Sequence, residues 1–156
     1  PEVLRRHPEF RLLVAGTGPE EERLRAQIER LGLGEGVQLL GFRRDVPALL
    51  RAVDLLVHPS KREGAPNAVR EAMVAGLPVV AVAASGTPEL VRHGETGLLS
   101  PIGDAAGLQA NLLQLLQNPD LRRRMGEAGS RRAAAEFSEE RCADAWEAAL
   151  QALLPS

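Results

Sequence analysis

The sequence predicts a doubly wound α/β fold, in which helices cover both faces of a parallel sheet. Short apolar runs bounded by turn residues alternate with amphipathic segments of helical length over residues 10–100. The chain has 156 residues, of which 44% are hydrophobic and 26% charged. This size and composition suit one compact domain and exclude a disordered or collagen-like chain.

Five short apolar runs are predicted as strands because turn or cap residues bound each of them. They cover residues 11–15, 37–40, 54–58, 79–82 and 97–99. A helix is predicted between the first two strands, over residues 19–31, because Pro19 suits the first turn and the glutamates that follow complement the helix dipole. A short helix is expected after Asp45, its predicted N-cap.

Two further helices are predicted before the last strand, and the chain after it is predicted to contain helices alone. A helix over residues 66–75 ends at Gly76 and Pro78, and one or two turns follow over residues 88–92. After the last strand, helices are predicted over residues 104–117, 119–135 and 138–153. Cys142 lies on the apolar stripe of the last helix, so we expect it to be buried.

Composition also limits the partners of the chain. A net charge of −2 provides no basic surface for nucleic acid. The single cysteine excludes an internal disulfide and a multi-thiolate metal site, which fits a reducing compartment. The longest apolar run, residues 77–84, is too short to span a bilayer, and the N-terminus lacks the layout of a signal peptide. We therefore expect a cytoplasmic protein that binds no metal, with peripheral membrane attachment as an option for a longer form.

Ligands of doubly wound sheets bind beyond the carboxyl ends of the strands, so the loops there are the candidate sites. The loop Gly16-Thr17-Gly18 begins like a dinucleotide fingerprint but has no third glycine. Three glutamates in the next helical turn would repel a pyrophosphate. The residues by themselves favour a structural turn here.

The stretch from Glu63 to Glu71 carries the strongest chemical signal. No acid occupies the first turn of its helix, so the backbone amides of Asn67, Ala68 and Val69 are expected to form a phosphate-binding end. Gly64 allows close approach of a ligand to the backbone.

Glu71 lies more than one turn inside this helix, which is apolar nearly all round and is therefore expected to be buried. A buried carboxylate needs a partner, and a ligand hydroxyl, a backbone amide or a distant arginine would each serve. A ribose with two hydroxyls is the more specific hypothesis, and a buried ion pair is the alternative. His58 at the end of a strand is more simply a packed histidine than a catalytic base.

These residues, in this order, resemble the donor-binding half of a GT-B glycosyltransferase of family 4. The resemblance covers about residues 10–150. It rests on Pro59-Ser60, Glu63, Glu71-Ala72-Met73, Gly76-Leu77-Pro78-Val79-Val80-Ala81, Gly86, Glu89 and Gly94-Glu95-Thr96-Gly97, with Gly16-Thr17-Gly18-Pro19 and Gly41-Phe42-Arg43 in the earlier loops.

The resemblance implies a retaining transferase that uses a UDP- or GDP-linked sugar as donor, without a metal or other cofactor. Glu63 would contact the donor sugar as the catalytic candidate, and Glu71 would bind the ribose. Gly64 and the amides of residues 67–69 would hold the diphosphate. Further binding candidates are Gly16, then Gly41, Phe42 and Arg43 near the base, and Gly86 on the sugar side.

The resemblance also implies missing parts. We expect a single domain over residues 1–156, with an α/β core over 1–103 and helices over 104–156. The N-terminal domain, which binds a glycan, lipid or small-molecule acceptor, would be absent, as would an arginine and a lysine that contact the phosphates. The isolated chain is therefore expected to be inactive.

The first strand of the family order 3-2-1-4-5-6 would also precede Pro1. We therefore expect an altered sheet, or self-association with strand exchange. The alternatives to a transferase domain are a non-catalytic nucleotide-binding or interaction module and a GT-B-like sugar-nucleotide epimerase fragment. A phosphorylase is disfavoured because the only lysine, Lys61, is not placed to bind pyridoxal phosphate.

Overall fold

The structure is a computed structural model that describes residues 1–153. Its strands are β1 (Leu12–Ala15), β2 (Val37–Gly41), β3 (Leu56–His58), β4 (Val79–Val82) and β5 (Gly97–Ser100). Its helices are α1 (Glu2–Arg6), α2 (Glu21–Arg30), α3 (Val46–Arg51), α4 (Asn67–Val74), α5 (Thr87–Leu90), α6 (Ala105–Leu116), α7 (Pro119–Glu136) and α8 (Glu139–Leu153). The α/β class and the order of elements are confirmed.

The strands form two separate parallel sheets instead of one. One sheet pairs β1 with β2, and the other has the order β3-β4-β5. The strands that pair within each sheet are also neighbours in the expected family order. The sheet was expected to be altered, and the alteration is its division into two sheets. The contacts also divide the chain into two compact units, Pro1–Val46 and a second unit from Pro47 onward.

The first unit holds the β1-β2 sheet with α1 and α2. Helix α1 was not predicted, because a five-residue segment is too short for its periodicity to be recognised. Two ion pairs from Glu2, to Arg5 and Arg6 at 2.7 Å each, support this helix. The side chain of Leu4 packs so closely on Gly36 that a Cβ there would lie 2.3 Å from it.

The second unit is a three-layer arrangement around β4, the central strand of its sheet. Alternate residues of β4 face opposite layers, so Val79 and Ala81 join one apolar cluster and Val80 joins the other. The first cluster contains the buried face of α4, and the second contains Leu115 of α6. Helix α7 contributes to both layers, through Ala133 and Met125 respectively.

Gly126 allows α7 to approach the end of α4 closely, whereas a Cβ at Gly129 would make only an ordinary contact. A Cβ at Gly126 would lie 2.0 Å from the carbonyl oxygen of Gly76, and a Cβ at Gly129 would lie 3.7 Å from Met73. Helix α7 therefore supports the helix that follows the candidate phosphate-binding loop.

The expected burial of Cys142 is wrong, because Cys142 is exposed. Two large apolar residues of its stripe are exposed too, Trp146 at 71% and Leu150 at 58%. Periodicity identifies an apolar stripe on a helix, but it does not show that another element covers the stripe. No helix within residues 1–153 is both long and apolar enough to cross a membrane.

Candidate donor-binding site

Two loops of the second unit meet at the carboxyl ends of the adjacent strands β3 and β4. The amide of Gly86 donates to the carbonyl oxygen of Glu63 at 3.3 Å. The backbones are so close that a Cβ at Gly86 would lie 1.9 Å from the carbonyl oxygen of Gly64. Three of the predicted site residues, Glu63, Gly64 and Gly86, are therefore neighbours in space.

The carboxylate of Glu63 is half-buried and held from its own loop. The hydroxyl of Ser60 lies 3.2 Å from Glu63 Oε1 and 3.3 Å from the carbonyl oxygen of Arg62. Sequence reasoning quoted Ser60 as part of a motif but assigned it no role. A serine three residues before a carboxylate in a loop is the local signal that could have identified this contact.

The first turn of α4 has free donors, as a helix start should. The amides of Asn67 and Ala68 have no acceptor among residues 1–153, whereas the Val69 amide donates to the carbonyl oxygen of Pro66 at 3.1 Å. The side-chain oxygen of Asn67 accepts a hydrogen bond from Arg70 Nη2. The predicted set of three free amides is therefore reduced to two.

Glu71 is exposed, so the prediction of a buried carboxylate is wrong. Helix α4 buries one face, formed by Val69, Ala72 and Met73, while Val74 on another face is 70% exposed. The small apolar residues of this helix do not all require burial, which is why composition overstated it. Glu71 lies four residues after Asn67, hence on the same exposed side and one turn further along.

His58 ends β3 close to this loop. Its Nε2 atom is buried and has no hydrogen-bond partner in the part of the chain that the structure describes. Burial lowers the pKa of His58 below its usual 6.5, and the negative charge of Glu63 opposes that shift. The imidazole is thus favoured in its neutral form.

The first unit contains the remaining candidates. The amide of Gly16 donates to the carbonyl oxygen of Gly41 at 2.8 Å, which brings the loops after β1 and β2 together. Both glycines have positive φ, 128° and 63° respectively, which other residues rarely adopt. A cleft of about 310 Å³ runs along the Gly16 loop.

Phe42 and Arg43 differ in how free they are to meet a ligand. Phe42 is 70% exposed. Arg43 forms a bidentate ion pair with Asp45, with Nη2–Oδ2 and Nε–Oδ1 distances of 2.6 and 2.9 Å. This pairing lowers the pKa of Asp45 and raises the pKa of Arg43. The carboxylate predicted to cap α3 is therefore engaged by an arginine.

The sequence profile described as "Glycosyl transferases group 1" matches residues 1–132. The chain belongs to this family. Within it, the chain is 38% identical over 134 residues to the putative glycosyltransferase EpsD of Bacillus subtilis, covering 86% of this chain and 35% of that protein.

Solved structures related to this group 1 transferase chain agree with its GT-B fold. The crystal structures of Anabaena Alr3699/HepE in complex with UDP and with UDP-glucose each align with a TM-score of 0.86 at 31% identity. Each alignment covers 94% of this chain and 42% of the other. The chain thus spans roughly two fifths of the length of these relatives.

Proposed function

We propose that this chain is the donor-binding part of a retaining, metal-independent glycosyltransferase of family 4. Its donor is a nucleoside diphosphate sugar, and it passes the sugar to the hydroxyl of a glycan, lipid or small-molecule acceptor held by a separate N-terminal domain. The observation that carries this proposal is the meeting of Glu63, Gly64 and Gly86 beside the free amides of α4. The UDP and UDP-glucose complexes of Alr3699/HepE support it and favour UDP among the nucleotides to test first.

Each group has a distinct task in this proposal. The amides of Asn67 and Ala68 receive the diphosphate, where the positive helix end offsets negative charge that grows as the sugar leaves. Gly64 leaves room for the phosphates. Glu63, held by Ser60, accepts hydrogen bonds from sugar hydroxyls and orients the anomeric carbon, and Glu71 accepts hydrogen bonds from the ribose.

Exposure of Glu71 is compatible with that task, because a ligand that covers α4 would desolvate the carboxylate only when bound.

Gly16, Gly41 and Phe42 belong to the first unit and are proposed to contribute to nucleotide binding. Arg43 would act there only after its pairing with Asp45 is exchanged or shared. The protein works in the cytoplasm, and residues 1–156 by themselves are proposed to bind the donor without turnover. Self-association through a strand edge is a further property of the isolated chain.

Titration of the isotope-labelled chain by NMR tests the donor site. We expect amides from Glu63 to Glu71 to shift with one of UDP, GDP and ADP, and not with NAD. Absence of any shift would contradict donor binding by the chain itself. Equal binding of UDP and UDP-glucose would favour a non-catalytic nucleotide-binding module.

Two substitutions then separate the roles of the carboxylates. Glu71→Ala should weaken UDP and UDP-glucose alike, by about tenfold or more, because charged hydrogen bonds to the ribose are lost. Glu63→Ala should weaken UDP-glucose alone. Glu127→Ala is the matched control, since Glu127 is exposed on α7 and its one ion pair among the described residues is with Arg123, at 3.1 Å. Identical behaviour of the two site variants would refute the division of labour.

A further inference from the structure

Arg132 of α7 is buried to an extent that is unusual for an arginine. Its side chain is 11% exposed. Atom Nη2 donates to the carbonyl oxygen of Glu89 in α5 at 2.8 Å and lies 2.9 Å from Glu136 Oε2. Buried guanidinium groups require such partners, because an unpaired buried charge is strongly destabilising.

The guanidinium group of Arg132 is also fixed by its surroundings. Its central carbon lies 5.4 Å from the centroid of the Phe137 ring. The carboxylate of Glu136 also accepts from Arg92, the second residue after α5, at 3.1 Å. The Nε atom of Arg132 is buried without an acceptor within residues 1–153, so part of its donor capacity is unused. An apolar side chain at this position would leave no buried donor unpaired. The presence of an arginine therefore indicates a role other than packing.

The element that Arg132 holds is a single helical turn with Gly86 at its start. Helix α5 has four residues, and one turn does not hold its own position without tertiary contacts. The amide of Glu89 donates to the carbonyl oxygen of Gly86 at 3.2 Å. One backbone segment therefore connects the carbonyl that Arg132 binds to the residue that touches Glu63 and Gly64.

We propose that Arg132 is a positioning residue for the donor sugar, acting through α5 on the Glu63–Gly64 backbone. The inference rests on the proposed function of this site. Arg132 contacts no reacting group. It fixes the position of Gly86, and through Gly86 it fixes the position of the Glu63 loop. Through this contact, α7 of the helical tail helps to shape the sugar side of the site, whereas no hydrogen bond or ion pair within the described residues joins the Arg132 side chain to Glu71.

The test compares Arg132→Gln and Arg132→Lys with Arg131→Gln. Arg131 is the matched control, because it is the neighbouring residue on α7, is exposed, and its side chain makes no hydrogen bond or ion pair within the described residues. We expect Arg132→Gln to shift the NMR signals of the Gly64 and Gly86 amides and to speed hydrogen exchange at Gly86, while the amides of β4 keep their protection. The Lys variant retains one donor for the Glu89 carbonyl and should restore most of these signals.

Binding provides a second readout that a purely structural role would not produce. Arg132→Gln should lower the affinity for UDP-glucose about tenfold and the affinity for UDP by less than about twofold. The tenfold change corresponds to the loss of about one hydrogen bond to the sugar. Equal weakening of both ligands, unchanged Gly64 and Gly86 amides, or the same result for Arg131→Gln would overturn the proposal. If the unaltered chain binds neither ligand, the proposed function fails, and the amide shifts and exchange rates alone decide the role of Arg132.

Discussion

Alanine substitutions at Gly86 and Gly64 probe the two sides of one backbone contact and should have very different effects. A Cβ at Gly86 would lie 1.9 Å from the carbonyl oxygen of Gly64 and 3.0 Å from its carbonyl carbon. A Cβ at Gly64 would meet nothing within 4 Å. The added methyl group would therefore clash with backbone atoms at Gly86 and would meet open space at Gly64.

The size of the effect follows from the geometry. An ordinary contact begins at 3.4 Å, so the two loops must separate by about 1.5 Å to admit the methyl group at Gly86. The φ of Gly86 is −72°, which alanine adopts freely, so the cost is steric. The obstacle is a backbone carbonyl and not a side chain that can rotate away. Overpacking of this kind costs about 1–3 kcal/mol.

Separation of the loops should also break the hydrogen bond from the Gly86 amide to the Glu63 carbonyl, which is already 3.3 Å long. The Glu63 loop would then shift relative to Gly86 and carry the Glu63 carboxylate with it. We expect Gly86→Ala to weaken UDP-glucose about tenfold, with a smaller effect on UDP.

Urea unfolding followed by circular dichroism measures the stability, and NMR titration measures the two affinities. Gly86→Ala should lose about 1–3 kcal/mol of the free energy of unfolding. Gly64→Ala should stay within about 0.5 kcal/mol of the unaltered chain, because exposed substitutions without contacts have small effects. A Gly86→Ala chain as stable as the original, or a Gly64→Ala chain equally damaged, would refute the close approach of the two loops.

Two further predictions concern stability. The pKa of folded His58 lies below 6.5, so the unfolded chain takes up a proton before the folded chain does as the pH falls. The contribution of the neutral His58 imidazole to stability is therefore complete above about pH 6.5 and is lost as the pH falls through the folded pKa. His58→Gln should flatten the decline in urea midpoint as the pH falls below about 6.5, and an unchanged slope would contradict the burial of the imidazole. Asp104 caps α6 by accepting from the Gly107 amide at 2.8 Å. Asp104→Ala should lower the free energy of unfolding by about 1 kcal/mol, measured by thermal or urea unfolding. Asp104→Asn should keep most of that stability, since Asp and Asn both cap helices well, and equal losses for the two variants would argue against the cap.

Local signals in the chain predicted most of the secondary structure. The limits of β4 were predicted correctly, because a run of apolar, mainly β-branched residues follows Pro78 directly. The helix predicted over residues 104–117 is α6, Ala105–Leu116, which agrees to within one residue at each end, with Asp104 as its N-cap. Features set by neighbours in sequence can be predicted without knowledge of the rest of the fold.

Expectations about burial were less successful, because burial depends on which elements meet. Glu71 and Cys142 were both expected inside, from the apolar character of their helices, and both are exposed. A helix sequence shows where its apolar residues lie around the axis, but the packing of other elements decides which of those faces is covered.

The α/β class, the family resemblance and the residues that carry the candidate chemistry could be predicted from the sequence, because each depends on short patterns along the chain. The packing of Gly86 against Gly64 and the hydrogen bond from Arg132 to the Glu89 carbonyl became known only from the tertiary structure. The contacts of Gly86 and Arg132 join segments more than 20 residues apart along the chain. Such contacts depend on how strands and helices pack, and no local pattern encodes that packing.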